Sequence, residues 1–309
     1  MAADLWSITS YFNPTQSVNR RNNYHTFRSR LDVPLVTVEL AFDQPFELRA
    51  GDAHILIQVR GESVMWQKER LLNIALQHIP GQISNIAWLD CDVILENVNW
   101  PEEACSALQL SKIIQLFDES LDLSNEPLPT DLASAKAQSS GTGLVSTMKT
   151  RSDAAEILKI QHKQVIRPRP GLAWAARRSL LSNHGFYDAF IIGGADSAMA
   201  RAAFGWLDDV IKRARLNARQ EKHYLEWAIP FHDAIQGNVQ NIRGKLYHLW
   251  HGDFDNRQYL HRFVNLAAFD FDPEKDIAIS NKGPWTWASH KPALHSYLKS
   301  YFESRNEDS

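Results

Sequence analysis

The sequence predicts an α/β protein with a mixed, mostly parallel central sheet flanked by helices. Three observations carry this. Strand-length apolar runs alternate with amphipathic stretches in the order strand, helix, strand, strand, helix, strand. The run preceding LDCDV is apolar without alternation, which reads as a strand buried on both faces. The length, 309 residues, is long for one domain but within the range of α/β enzymes.

Residues 5–12 (LWSITSYF) are β-rich and stop at the turn signal Asn13-Pro14. Residues 17–31 place Tyr24, Phe27 and Leu31 at spacings of three and four, an amphipathic helix carrying four arginines. Residues 33–41 (VPLVTVELA) read as a second strand with Pro34 at its start, and 46–48 and 53–59 as further strand material. Residues 65–78 form a helix with Leu71, Leu72, Ala75 and Leu76 inward, ended by Pro80-Gly81. The strand of residues 85–96 (NIAWLDCDVILE) follows. Residues 118–143 are rich in Ser, Pro, Asp and Gly and read as a surface loop or mobile lid. Residues 171–185 (GLAWAARRSLLSNHG) read as strand then helix, capped by Gly185. Gly193-Gly194 interrupt an apolar run and Asp196 opens a helix through Ala203. Residues 208–223 read as one long polar helix, and 242–250 as a strand ending in YHLWHG. Neither half has a core of its own, so residues 1–309 are expected to form one domain. It comprises a first half (about 1–117), a loop or lid (about 118–163), and a second half with a C-terminal helix (about 164–309).

The composition is ordinary for a globular protein, 44% hydrophobic and 22% charged. A net charge of −3 gives no electrostatic case for nucleic acid or an anionic membrane. Two cysteines, Cys91 and Cys105, make no disulfide framework. No secretory leader pattern and no 18-residue apolar run occur, so a cytoplasmic protein without a membrane span is expected.

The chemistry concentrates in Asp90 and Asp92. Alternate residues of a strand point the same way, so both acids are expected to project together and to need a cation between them. All-oxygen ligands suit Mg²⁺ or Mn²⁺; the alternative is a strand end with two solvated acids. His248 and His251 lie three apart where a strand runs into the turn at Gly252, from which both imidazoles can reach one ion. One carboxylate of the acidic pair with His248 and His251 then makes a metal set with positions open for phosphate oxygens. Asp196, in a first helical turn, is either a cap or a reactive carboxylate. Strand ends would gather Asn13, Arg60 and the acidic pair along one sheet edge, where ligands of such folds bind. Trp285 and Trp287 read as core packing ahead of an acceptor surface.

These motifs, in this order, resemble the GT-A (Rossmann-like) glycosyltransferases, within them the inverting β-1,4-galactosyltransferase-like group, over residues 5–263. SYFNP resembles the loop that contacts the base, which implies Ser10, Tyr11 and Asn13. WQKERLLN resembles the helix opening that places Trp66 and Lys68 near base or ribose. LDCDV is the D-x-D motif, with Asp92 the implied metal ligand and Asp90 on the ribose or a metal-bound water. The GLAWAARRSLLSNHGFYDAFIIGGADSAMA block brings Gly171, Gly193 and Gly194 to the donor and puts Asp196 on the family's general base. Two metal ligands spaced i, i+3 follow in that group, as His248 and His251 do here. The sequence departs at Ala195, where the group has Glu, and at Ile191 and Ile192, where it has an aromatic acceptor platform before the glycines. The resemblance implies a Mn²⁺- or Mg²⁺-dependent, inverting transfer from a nucleotide-diphosphate sugar, UDP-linked, to a glycan or other hydroxyl acceptor. It makes the first half (about 1–117) the nucleotide-binding half and the second (about 164–309) the acceptor and catalytic half. A nucleotidyltransferase predicts a basic Gly-rich loop near the N-terminus, and none occurs; a degenerate sugar-nucleotide-binding protein is the non-enzymatic alternative.

Overall fold

A computed structural model describes residues 4–150, 168–259 and 261–308. The first part of the chain forms β1 (Leu5–Phe12), α1 (Val18–Ser29), β2 (Leu35–Ala41), β3 (Ile55–Arg60), α2 (Lys68–Leu76), β4 (Asn85–Leu89) and β5 (Val93–Leu95). There follow α3 (Trp100–Leu110), β6 (Ile113–Gln115), β7 (Glu119–Leu123), β8 (Ala137–Gly143), α4 (Leu144–Thr150), β9 (Pro168–Arg169) and β10 (Ala173–Arg177). Then come α5 (Arg178–His184), α6 (Ala195–Ala203), α7 (Leu207–Ala214), α8 (Ala218–Ile235), β11 (Val239–Asn241) and β12 (Lys245–His248). The last elements are α9 (Arg262–Ala267), α10 (Pro273–Asp276), β13 (Ile277–Ile279), β14 (Trp285–Trp287) and α11 (Pro292–Glu303).

A seven-stranded sheet runs in the order β11-β6-β10-β4-β1-β2-β3. β4, β1, β2 and β3 are mutually parallel, and β10 is inserted antiparallel between β4 and β6. Every residue of β2 is buried, as a central strand with both faces covered requires. The pleat of β1 sends Ile8 and Phe12 into one core with α2 and α6, and Leu5 and Tyr11 into the other with α1 and α3. Ser17 starts α1 by accepting from Arg20 N–H, and Tyr24 and Phe27 fix its inward face. Because the four parallel strands share a direction, Phe12, Ala41, Arg60 and Leu89 end at one edge.

A second sheet, β5-β12-β7-β8-β9, lies beyond that edge. Residues 118–143, read as a loop from their composition, contain its β7–β8 hairpin. Three other readings are corrected. Residues 46–48 are not a strand, because the Glu39 carboxylate takes the N–H groups of Glu47 and Leu48 that a ladder would use. The helix over 208–223 is two, broken where Arg215 adopts a left-handed φ of 50° and Asn217 begins α8 with a capping box. The 242–250 strand stops at His248. Trp285 and Trp287 pair in a short hairpin against the main core, with Trp285 Nε1 donating to Asp188 O at 3.0 Å. Among the described residues, no helix is long and apolar enough to cross a membrane.

Candidate functional site

The chain changes sheet between the two acids of LDCDV. β4 ends at Leu89, Asp90 N–H donates to Leu172 O at 2.8 Å, and β5 starts at Val93 in the second sheet, with Leu249 N–H donating to Asp92 O at 2.8 Å. The alternation rule for strands therefore fails across this joint. The expectation of one cation held between both acids is corrected: Asp90 faces Lys68, and Asp92 faces the two histidines.

Asp92, His248 and His251 offer ligand atoms that all lie within 4.8 Å of one another. His248 Nε2 is 3.7 Å from Asp92 Oδ1, and His251 Nε2 is 3.6 Å from Asp92 Oδ2. These gaps are too long for hydrogen bonds, and Asp92 Oδ1 is buried without a hydrogen-bond partner. A carboxylate with one orphaned oxygen, set between two imidazoles, fits a divalent ion of the Mn²⁺ class. The mixed N/O set modifies the all-oxygen argument made from the acids alone. β12 delivers His248, and the turn at Gly252 delivers His251.

Asp122, on β7, was missed in the sequence because it fell in the segment read as a loop; the alternation in ESLDL was the available signal. Its carboxylate is buried, lies 3.0 Å from His248 Nδ1, and also binds Arg169 and Ser139. Such a contact fixes the imidazole tautomer with Nε2 free for a metal. Burial opposes a charge on His248, but the Asp122 hydrogen bond and the Asp92, Asp122 and Asp90 carboxylates raise its pKa overall. His251 differs. Burial, then the Arg257 guanidinium, push its pKa well below the ordinary value, and Arg257 Nη2 donates to its Nδ1 at 2.7 Å. Since arginine only donates, neutral His251 carries its own proton on Nε2 in this arrangement.

Lys68 bridges the other half of the site. It forms an ion pair with Asp90 and stands 4.0 Å from Asp196 Oδ2. Asp196 is partly a cap, its Oδ1 accepting from Ser197 N–H at 2.6 Å, while Oδ2 faces Gly171. A Cβ at Gly171 would fall well inside van der Waals contact with that oxygen, so only glycine leaves Asp196 its place. Glu69, also missed, is buried beside Lys68 and accepts from Trp66 Nε1 at 3.1 Å. Burial pushes its pKa up to about 8.

The other expected site residues make contacts within the chain. Ser10 is half-buried in β1 opposite Val38. Tyr11 is in the core, its hydroxyl on Glu47, and Asn13 is buried, donating to Ser17 O at 2.9 Å and to Glu47 at 3.0 Å. Arg60 holds the carbonyls of Phe42 and Gln44 and covers the Phe46 ring. Gly193 and Gly194 have φ of 85° and 101°, and admit Trp66 and Phe263 respectively at their Cα atoms. Ile191, Ile192 and Ala195 are fully buried.

Fold and site together define the class: an open α/β sheet with a carboxylate–imidazole cluster at the carboxyl edge of its parallel strands. No protein-family model matches the sequence, and no curated protein matches it. Among solved structures, the chain is similar to Mycobacterium tuberculosis glucosyl-3-phosphoglycerate synthase in complex with Mn²⁺, UDP and phosphoglyceric acid. The identity there is 13% and the TM-score 0.42, over 93% of this chain and 87% of that one. With Mn²⁺, UDP-glucose and phosphoglyceric acid bound to that synthase, the figures are 12%, 0.39, 80% and 72%. It is also similar to S. aureus TarS in complex with UDP-GlcNAc, at 13% identity and TM-score 0.37 over 63% of this chain; the chain spans about half (52%) of that one.

Proposed function

We propose that this protein is a divalent-metal-dependent glycosyltransferase, moving a sugar from a UDP-sugar to an acceptor hydroxyl with inversion. The observation that carries the reading is the Asp92 carboxylate set between two imidazoles, its buried and unpartnered Oδ1 toward His248 and its Oδ2 toward His251. Asp92, His248 and His251 would hold Mn²⁺ or Mg²⁺, which supplies positive charge to the leaving diphosphate. Asp196 Oδ2 takes the proton of the acceptor hydroxyl as the acceptor oxygen bonds to the anomeric carbon; the anomeric C–O bond breaks and its electrons leave with the nucleoside diphosphate. Lys68, charged between Asp90 and Asp196, fixes both carboxylates. Gly171 keeps Asp196 Oδ2 clear of backbone substituents. The resemblance of LDCDV and the GGAD block to the inverting group supports the choice of base. The 118–143 hairpin supports the donor side through Asp122 on His248; closure of this segment over bound donor belongs to the same proposal.

Calorimetric titration of UDP, GDP and CMP, each with and without Mn²⁺, tests the reading on wild type and Asp92→Ala. One nucleotide should bind in a manner requiring both metal and Asp92. Binding indifferent to both refutes it.

A further inference from the structure

Residues 305–308 lie against the proposed donor site. Glu307 is buried, and its carboxylate takes Arg20 Nε and Nη2 in a two-pronged pair at 2.7 Å each. The same carboxylate lies 3.4 Å from Arg257 Nη1 and 2.7 Å from Arg305 Nη2. Asp308 covers the start of α1, accepting from Ser17 Oγ at 2.7 Å, Val18 N–H at 3.1 Å and Asn19 N–H at 2.9 Å. This is the way a helix N-terminus and paired guanidiniums receive a phosphate. The segment also closes a recess whose other walls are Phe12, Pro14, Thr15 and Trp66. Phe302 stacks on Trp66 at 6.3 Å, and the Arg305 guanidinium sits 5.1 Å from the Trp66 ring. Trp66 and the SYFNP loop are the parts the resemblance assigns to the nucleoside.

Two observations join this segment to the metal cluster. Gly252, next to His251, touches it so closely that a Cβ there would lie 2.8 Å from Asn306 O. Arg257, which pairs with Glu307, also donates to His251 Nδ1 and O, and its own Nε is buried without a partner. While Arg257 donates to Nδ1, the neutral imidazole has its proton on Nε2 and offers the cluster no lone pair. His251 can ligate a metal only after Arg257 moves off Nδ1.

We propose that Arg20 and Arg257 bind the diphosphate of the donor, and that Glu307 and Asp308 occupy this anion site as an internal plug that leaves when metal and donor enter. The proposal rests on the donor-site reading above. Exchange is chemically even: carboxylates leave the guanidiniums and the α1 N–H groups, phosphate oxygens replace them, and Arg257 turns from His251 Nδ1 to the phosphate. Without either anion, the buried guanidiniums would be uncompensated, which accounts for the plug.

The experiment titrates UDP with Mn²⁺ into wild type, Glu307→Gln/Asp308→Asn, and that double variant carrying Arg20→Gln. Thermal melts accompany each protein, and release of the peptide after Arg305 by trypsin is followed by mass spectrometry. If the open state is about a tenth populated in wild type, the double variant binds UDP about ten-fold more tightly, and Arg20→Gln reverses the gain. UDP with Mn²⁺ should hasten cleavage after Arg305 in wild type. Unchanged affinity in a folded double variant, or slower cleavage on adding UDP and Mn²⁺, overturns the plug while leaving metal-dependent donor binding intact. Nucleotide binding that ignores Mn²⁺ and Asp92→Ala in every protein overturns the donor reading itself. If cleavage after Arg305 is then still unmoved by UDP, the plug falls with it.

Discussion

Replacing Asp122 by Asn tests whether the second sheet aims a metal ligand. In wild type the Asp122 carboxylate, 3.0 Å from His248 Nδ1 and buried, holds the imidazole so that Nε2 faces Asp92. Asn keeps the shape but loses the charge and weakens the hold of Arg169. Partners of this kind are worth about 10–100-fold in metal affinity, or about 1.4–2.7 kcal/mol. The direction with pH follows from protonation. Metal binding needs neutral His248, and its pKa is raised by Asp122 and the neighbouring carboxylates. Wild-type affinity therefore falls as pH drops through a value above the ordinary histidine one. In Asp122→Asn that fall moves to lower pH, while affinity at pH 8 is weaker. Mn²⁺ titration followed by electron paramagnetic resonance from pH 5.5 to 8.5 reads both effects, with melts at each pH to separate unfolding. Wild-type affinity at pH 8 with an unmoved pH midpoint would refute the reasoning, because His248 would then be neither oriented by Asp122 nor a ligand.

Asp196→Asn should lower turnover by about 10²–10⁴-fold and leave UDP affinity within a few-fold, measured by single-turnover transfer and calorimetry. Gly171→Ala should cost turnover in the same way, since the new methyl displaces Asp196 Oδ2, while metal-dependent UDP binding persists; full activity would show that Asp196 need not sit where it does. Glu69→Gln concerns stability. Burial raises the Glu69 pKa to about 8, so between the ordinary carboxylate value and pH 8 the unfolded chain sheds a proton that the folded chain keeps, and this group's contribution falls as pH rises. Gln retains the Trp66 hydrogen bond without that loss, so the variant should melt higher than wild type at pH 8 and show a smaller difference at pH 5.

The parallel half of the fold could be read because each of its elements carries its own period: β1 over Leu5–Phe12 and α1 with Tyr24 and Phe27 inward follow directly. The second sheet was legible only in part. β5 and β12 fall inside runs read as strands, whereas β8 (AQSSGTG) has no apolar alternation, being paired on both sides by β7 and β9. The grouping of a carboxylate with His248 and His251 was legible as spacing; the ion pair of Lys68 with Asp90 was not. Nor were the Arg20–Glu307 and Arg257–His251 contacts, since they join residues separated by 287 positions in one case and by an irregular turn in the other. Tyr11 and Asn13 illustrate why such contacts are hard to read: a polar residue at a strand's end can bond to its own chain as readily as to a ligand, and the Glu47 carboxylate and the Ser17 backbone are the partners found.

The single residue between the two acids has a consequence of its own. Cys91 is buried, and burial beside Asp92 and Asp90 keeps its thiol protonated and inert. It also spans the seam between the two sheets, so Asp90 and Lys68 are bolted to one slab and Asp92, His248 and Asp122 to the other. Under the proposed function, the Asp196–Lys68–Asp90 group and the Asp92–His248 group then stand on opposite sides of that seam, and the distance between them depends on the one-residue stitch keeping its length.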